Sequence, residues 1–141
     1  RARHISGRCY QLLRGEIYTI ESQNIFVFGG GESFDMDARE EGKTWWVREL
    51  PSREELEFAR QNLANHDHKV DYILTHSPSA IVSGFLNMDG VYTNPLASFL
   101  DEVTNTVSFK HWFFGSCHID KVIPPRYHAV YQEVLLLKDS L

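Results

Sequence analysis

The sequence predicts an α/β fold: a mixed β-sheet flanked by two principal helices. Three observations predict it. Short runs without alternation, at residues 25–28, 70–75 (apolar but for Asp71 and Thr75) and 112–114, read as strands buried on both faces, the habit of parallel strands. Two segments between them carry helix starts and apolar stripes at helical spacing. The apolar segments near either end are short, β-branched or aromatic, and bounded by turn residues, so they read as antiparallel material.

Residues 1–7 are basic and polar, and Gly7 breaks them from the first expected strand, residues 9–13. Arg14-Gly15 is expected to turn that strand into a second at 16–21, making a hairpin. Ser22-Gln23-Asn24 is a short turn before the central strand 25–28, which runs into Gly29-Gly30-Gly31. Three glycines at a strand end imply unusual backbone angles or close approach by another group. They are not a phosphate loop, since no Gly-Lys-Ser/Thr follows. Residues 32–51 are charged and irregular around Trp45-Trp46, either a surface excursion pinned by two tryptophans or a lip over a site.

Ser52 with Glu55 three positions on is a capping box, and Leu56, Ala59 and Leu63 mark the buried face of the helix it opens. That helix ends near Asn65, and Asn65-His66-Asp67-His68 reads as its solvated end, where histidine suits the dipole. Residues 79–93 read as a Gly- and Asn-containing connection. Asn94-Pro95 starts the second helix as cap and first position, with Leu96, Phe99, Leu100 and Val103 as its stripe. After Pro124-Pro125, residues 127–131 and 134–137 are expected as strands or one bent strand. The strand–helix–strand steps are crossovers, expected right-handed.

Composition bounds the function. The 141 residues suit one domain, residues 1–141, and 43% hydrophobic with 13% aromatic content supports a core. A net charge of −5 leaves no basic surplus for phosphate neutralisation, which argues against general nucleic-acid binding. No apolar run approaches the roughly 20 residues of a membrane span, and no signal-peptide pattern opens the chain. Cys9 and Cys117 are too few for a disulfide framework, so a reduced, cytoplasmic location is expected. The chain opens Arg1-Ala2-Arg3 without Met, and the expectation is a piece of something longer.

Chemistry concentrates after two buried strands. Residues 70–75 run into His76-Ser77-Pro78, and 112–114 run through Gly115 into Ser116-Cys117-His118. Polar groups at the carboxyl ends of α/β strands are where such sheets place sites. His76 and His118 are therefore candidate metal ligands or acid/base groups, against the plain alternative of two hydrogen-bonded histidines at a sheet edge. Cys117 and His118 are sequence neighbours that rarely face each other, and no Gly-x-Ser-x-Gly elbow surrounds Ser116, so nucleophilic catalysis there is not expected. His4, His111 and His128 carry no functional expectation.

These stretches resemble a known family. Val70-Asp71-Tyr72-Ile73-Leu74-Thr75-His76-Ser77-Pro78 resembles the fourth motif of the calcineurin-like metallophosphoesterases, a strand ending in a metal-binding histidine. Phe109-Lys110-His111-Trp112-Phe113-Phe114-Gly115-Ser116-Cys117-His118 resembles the fifth, a strand followed by Gly-His-any-His. Residues 12–20, Phe28-Gly29-Gly30-Gly31 with Ser33 and Asp35, and Gly42-Lys43-Thr44-Trp45-Trp46 resemble a bacterial branch of that family. The earlier Asp-any-His, Gly-Asp-any-any-Asp and Gly-Asn-His-Asp/Glu motifs do not occur here. The resemblance thus implies the C-terminal half of a two-sheet sandwich with helices outside. It implies hydrolysis of a phosphate ester by water activated on two metals of the manganese, iron, zinc or nickel class. His118 would bind the first metal and His76 the second. Ser116 stands where the family has another histidine, and serine is a poor ligand for those ions. The missing motifs imply that this chain alone holds no metal tightly and is inactive, and that its uncovered sheet face drives self-association. A non-catalytic interaction module derived from the same fold is the alternative, and thiol chemistry at Cys117 the remote third.

Overall fold

A computed structural model describes residues 2–31, 50–86, 95–124 and 126–137. In chain order the elements are β1 (Arg3–Ser6), β2 (Cys9–Gln11), β3 (Ile17–Ile20), β4 (Gln23–Phe28), α1 (Arg53–Asn65), β5 (Tyr72–Thr75), α2 (Ala80–Phe85), α3 (Pro95–Thr106), β6 (His111–Phe114), β7 (Lys121–Ile123) and β8 (Tyr127–Ala129). Expectations for residues 32–49, and for Asn94 as a cap, fall outside the described residues.

The buried runs become the middle of one mixed six-stranded sheet, ordered β3-β4-β5-β6-β8-β7. Strands β4, β5, β6 and β8 are mutually parallel, with antiparallel β3 and β7 at the edges. This is the expected α/β mixed sheet. Side chains alternate across it. Phe26, Phe28, Ile73, Trp112, Phe114 and Ala129 form one core with Leu56, Ala59 and Leu63 of α1 and Leu96, Phe99, Leu100 and Val103 of α3. Successive crossovers that step the same way with the same hand put their helices on one face, which is this arrangement. The opposite face carries Ile25, Val27, Tyr72 and Phe113, all buried, with Tyr18, Leu74, Val130 and Leu137 partly buried against them. Leu135 and Leu137 reach over it and line an open groove of about 260 Å³ with Leu74, Phe113 and Val130.

Helix α1 begins as its sequence dictates. The Ser52 hydroxyl accepts from the Glu55 N–H at 3.1 Å, and the Glu55 carboxylate accepts from the Ser52 N–H at 2.9 Å. Each satisfies an N–H that the first turn leaves without a helical partner. Ser52→Ala is expected to cost about 1 kcal/mol in urea unfolding, and no measurable loss would mean that the cap is dispensable.

Three expectations need correction, and one strand is additional. The strand at 9–11 pairs with β1, not with residues 16–21, so Arg14-Gly15 is not a hairpin turn. Instead Gly15, at φ +85°, lies against α1, where an added Cβ would sit 3.1 Å from the Ala59 Cβ. The hairpin is β3–β4, closed by Glu21 and Ser22, both at positive φ. That geometry matches the right-handed strand twist. The connection at 79–93 contains a helix, α2, capped by the buried Ser79 and tethered to α3 where the Asp101 carboxylate accepts from the Ile81 N–H at 3.1 Å. Residues 134–137 are not a strand: they form no ladder with any described strand, Val134 and Leu136 are exposed, and Leu137 packs on the helix-free face. Strand β7, unforeseen, pairs antiparallel with β8 as the outer edge.

Candidate functional site

Parallel strands end on a common edge. Here β4 ends in Gly29-Gly30-Gly31, β5 in His76, β6 in Gly115-Ser116-Cys117-His118 and β8 in Val130-Tyr131. The groove outside such ends is the usual place for a site in an open α/β sheet. Backbone bonds tie the ends together: the Gly115 N–H donates to the His76 carbonyl at 3.0 Å, and the Val130 N–H to the Phe114 carbonyl at 2.9 Å. Both His76 and His118 are exposed at this edge, as their placement in the sequence predicts.

His76 is exposed, and the glycine run after β4 passes close to it. A Cβ on Gly31, three residues past β4, would lie 2.5 Å from the Ser77 Oγ and 3.3 Å from the His76 Cδ2, so a larger residue there would have to displace the Ser77 hydroxyl. The Ser77 hydroxyl donates to the Gly30 carbonyl at 3.3 Å. Below it, the Trp112 indole N–H donates to the Thr75 Oγ1 at 2.9 Å, and the Thr75 hydroxyl donates to the Ser77 carbonyl at 2.7 Å. A polar chain therefore links the core of β6 to the loop that carries His76.

The β6 end is strained. Ser116 and His118 sit at φ +71° and +53°, a region L-residues enter at a cost of roughly 1 kcal/mol or more each. Between them the Cys117 N–H donates to the Gly115 carbonyl at 2.8 Å. The His118 ring stacks on Tyr131, with centroids 5.2 Å apart and planes 29° from parallel. The two histidine rings thus have different neighbours, His76 the glycines past β4 and His118 the Tyr131 ring, two residues past β8. Among the described residues no cluster of three or more His, Cys, Asp or Glu side chains could hold a metal ion. Burial pushes the Cys117 thiol up from its ordinary value, so it holds its proton at neutral pH and lacks the thiolate that nucleophilic work requires.

Two arrangements were not legible in the sequence. The His128 Nε2 and His111 Nδ1 share a hydrogen bond at 3.0 Å on the helix-free face, His128 stacked on Phe113 at 4.7 Å. The Asp120 carboxylate accepts from the backbone N–H groups of Tyr131, Gln132 and Glu133. Both join residues that only sheet pairing brings together; the sole hint was that His111 and His128 each stand in an expected strand. Residues 65–68 form the exposed end of α1, as expected, with the His66 Nδ1 3.0 Å from the Asn62 carbonyl oxygen.

No helix among the described residues is long and apolar enough to cross a membrane. No family model, curated protein or solved structure matches this chain.

Proposed function

We propose that this chain is the C-terminal part of a metal-dependent phosphoesterase of the calcineurin-like kind, in which His76 and His118 are metal ligands. The observation that carries the reading is the departure of both histidines from one edge of adjacent parallel strands, β5 and β6. The sequence resemblance at both strand ends supports it. Neutral imidazoles on rigid strand ends suit manganese, iron, zinc or nickel. Two metals so held would activate a water and neutralise the oxygens of a phosphate ester.

The donor set fits in part. Two imidazoles and one serine hydroxyl give no carboxylate to bridge a metal pair, and two neutral ligands hold a divalent ion weakly. The remaining ligands would come from the three earlier motifs, which this sequence does not contain. The completed fold would be a two-sheet sandwich, with the second sheet on the face of Ile25, Val27, Tyr72 and Phe113. A non-catalytic module with the same ancestry is favoured by Ser116, which stands at a ligand position with a hydroxyl. In that case the same face would take a protein partner or a second copy.

The test is hydrolysis of an aryl phosphate and an aryl phosphodiester, with manganese, iron, nickel or zinc, with and without chelator. The 141-residue chain is expected to stay at background; chelator-sensitive turnover by it would overturn the ligand accounting. Mn²⁺ uptake, followed by paramagnetic broadening, should depend on His76 and His118 together. Ser116→His is expected to tighten uptake by restoring a nitrogen ligand. Unchanged uptake would remove Ser116 from the ligand position.

A further inference from the structure

We propose that Asp120 is a positioning residue for His118, acting through Tyr131; the inference rests on the reading of His118 as a metal ligand. A ligating imidazole needs its ring plane fixed, which usually comes from its second nitrogen donating to a carboxylate or carbonyl. His118 has no such bond: among the described residues neither ring nitrogen has a hydrogen-bond partner. What fixes the ring is the stack on Tyr131. A stack engages the face of the ring and leaves its edge, with the one in-plane nitrogen lone pair of the neutral imidazole, open to an ion.

Tyr131 needs its own anchor, because it lies beyond the end of β8 and is exposed. Asp120 supplies that anchor. One of its oxygens accepts from the Tyr131 N–H at 2.7 Å, and the carboxylate also takes the Gln132 N–H at 3.1 Å and the Glu133 N–H at 3.2 Å. Three successive amides converging on one anion make a charge-assisted nest. The carboxylate is two residues past His118, so one group ties the strained turn at 116–118 to the segment carrying its stacking partner. Positive φ at Ser116 and His118 persists only where surrounding contacts over-determine it. The nest is one such contact, and it closes a loop from His118 through Asp120 and Tyr131 back to His118.

The experiment is NMR on the whole chain, following the ring protons of His76 and His118 and the amides of 131–133, with Mn²⁺ as the probe. In the wild type the Tyr131 ring current should shift the His118 ring protons upfield. Asp120→Ala should abolish that shift, move the three amides, and raise the Mn²⁺ needed to broaden His118 about tenfold, the lower end for losing a ligand's orienting partner. His76 should stay at its wild-type position. Asp120→Asn, which keeps an acceptor, should recover part of both effects. Tyr131→Leu leaves the carboxylate nest in place and should still loosen His118; it decides the question if Asp120→Ala fails to fold. An unchanged His118 shift and Mn²⁺ response in Asp120→Ala, or in Tyr131→Leu, would overturn the proposal. If Mn²⁺ broadens neither histidine in the wild type, the metal reading fails by itself. The clamp then stands if Asp120→Ala abolishes the upfield shift and falls if the shift survives.

Discussion

Trp112→Ala is expected to lower the unfolding free energy by about 4 kcal/mol, within the 3–5 kcal/mol typical of deleting a buried large aromatic. Trp112 is 1% exposed and stands on the helix side of the second parallel pair in the sheet. Its ring meets Phe109 edge-on at 5.6 Å and Tyr127 at 5.8 Å. Alanine would remove the largest fully buried side chain among the described residues and leave a cavity between β6 and the helices. It would also strip the Thr75 Oγ1 of the indole N–H it accepts. A domain's whole stability is about 5–15 kcal/mol, so this one substitution removes a large share of it. Urea unfolding followed by far-UV circular dichroism is the appropriate measurement, because Trp45 and Trp46 would confuse a fluorescence signal. Trp112→Phe separates the two contributions: it keeps most of the bulk and loses the hydrogen bond, for an expected cost of about 1–2 kcal/mol. A loss below about 2 kcal/mol in Trp112→Ala would contradict its place at the centre of the core.

The second large effect is with pH. Stability is expected to fall as pH drops below about 6.5, the unperturbed histidine value, because of the His111–His128 pair. Burial lowers the pKa of both. The Lys110 ammonium adds to the effect on His111, and the neighbouring His111 adds to that on His128. Both are therefore neutral in the folded chain while their unfolded counterparts begin to protonate. In that window the unfolded state binds more protons, so stability rises with pH and is lost on acidification, at up to about 1.4 kcal/mol per pH unit for each group. Geometry gives the same sign. One ring nitrogen donates and the other accepts across 3.0 Å, and charging both rings would set N–H against N–H. The groups around them are aromatic, Tyr72 and Phe113, with Lys110 paired to Asp71 at 3.2 Å. No carboxylate hydrogen-bonds either imidazole among the described residues, so nothing there favours the charged form. Unfolding curves from pH 7.5 to 5 in the wild type and in a His111→Phe/His128→Phe variant test this. The variant should give a flatter profile; an equally steep one would place the acid sensitivity elsewhere.

The sequence by itself determined the fold class and the edge where the candidate site lies. Continuous apolar runs at 25–28, 72–74 and 112–114 are satisfied by burial on both faces, which makes them neighbours in the middle of a sheet. The Ser52–Glu55 box and Pro95 at the first position of α3 are local signals, complete within one turn of chain. Polar residues placed just past two such strands must emerge at a strand end, and once the strands are parallel it is the same end. Tertiary structure decided everything that depends on which segments pair. The Cys9–Gln11 segment could have joined either side, and it joined β1. Glu21-Ser22 closes a hairpin without the Asn-Gly signature that would announce it. The apolar run at 134–137 has the composition of a strand, but a strand exists only where a neighbour supplies its hydrogen bonds. The His111–His128 bond links residues 17 apart in the chain, and the Asp120 nest gathers amides 11 to 13 positions away. Contacts at that separation leave no periodicity or spacing to read, because it is the register between strands that brings the partners together.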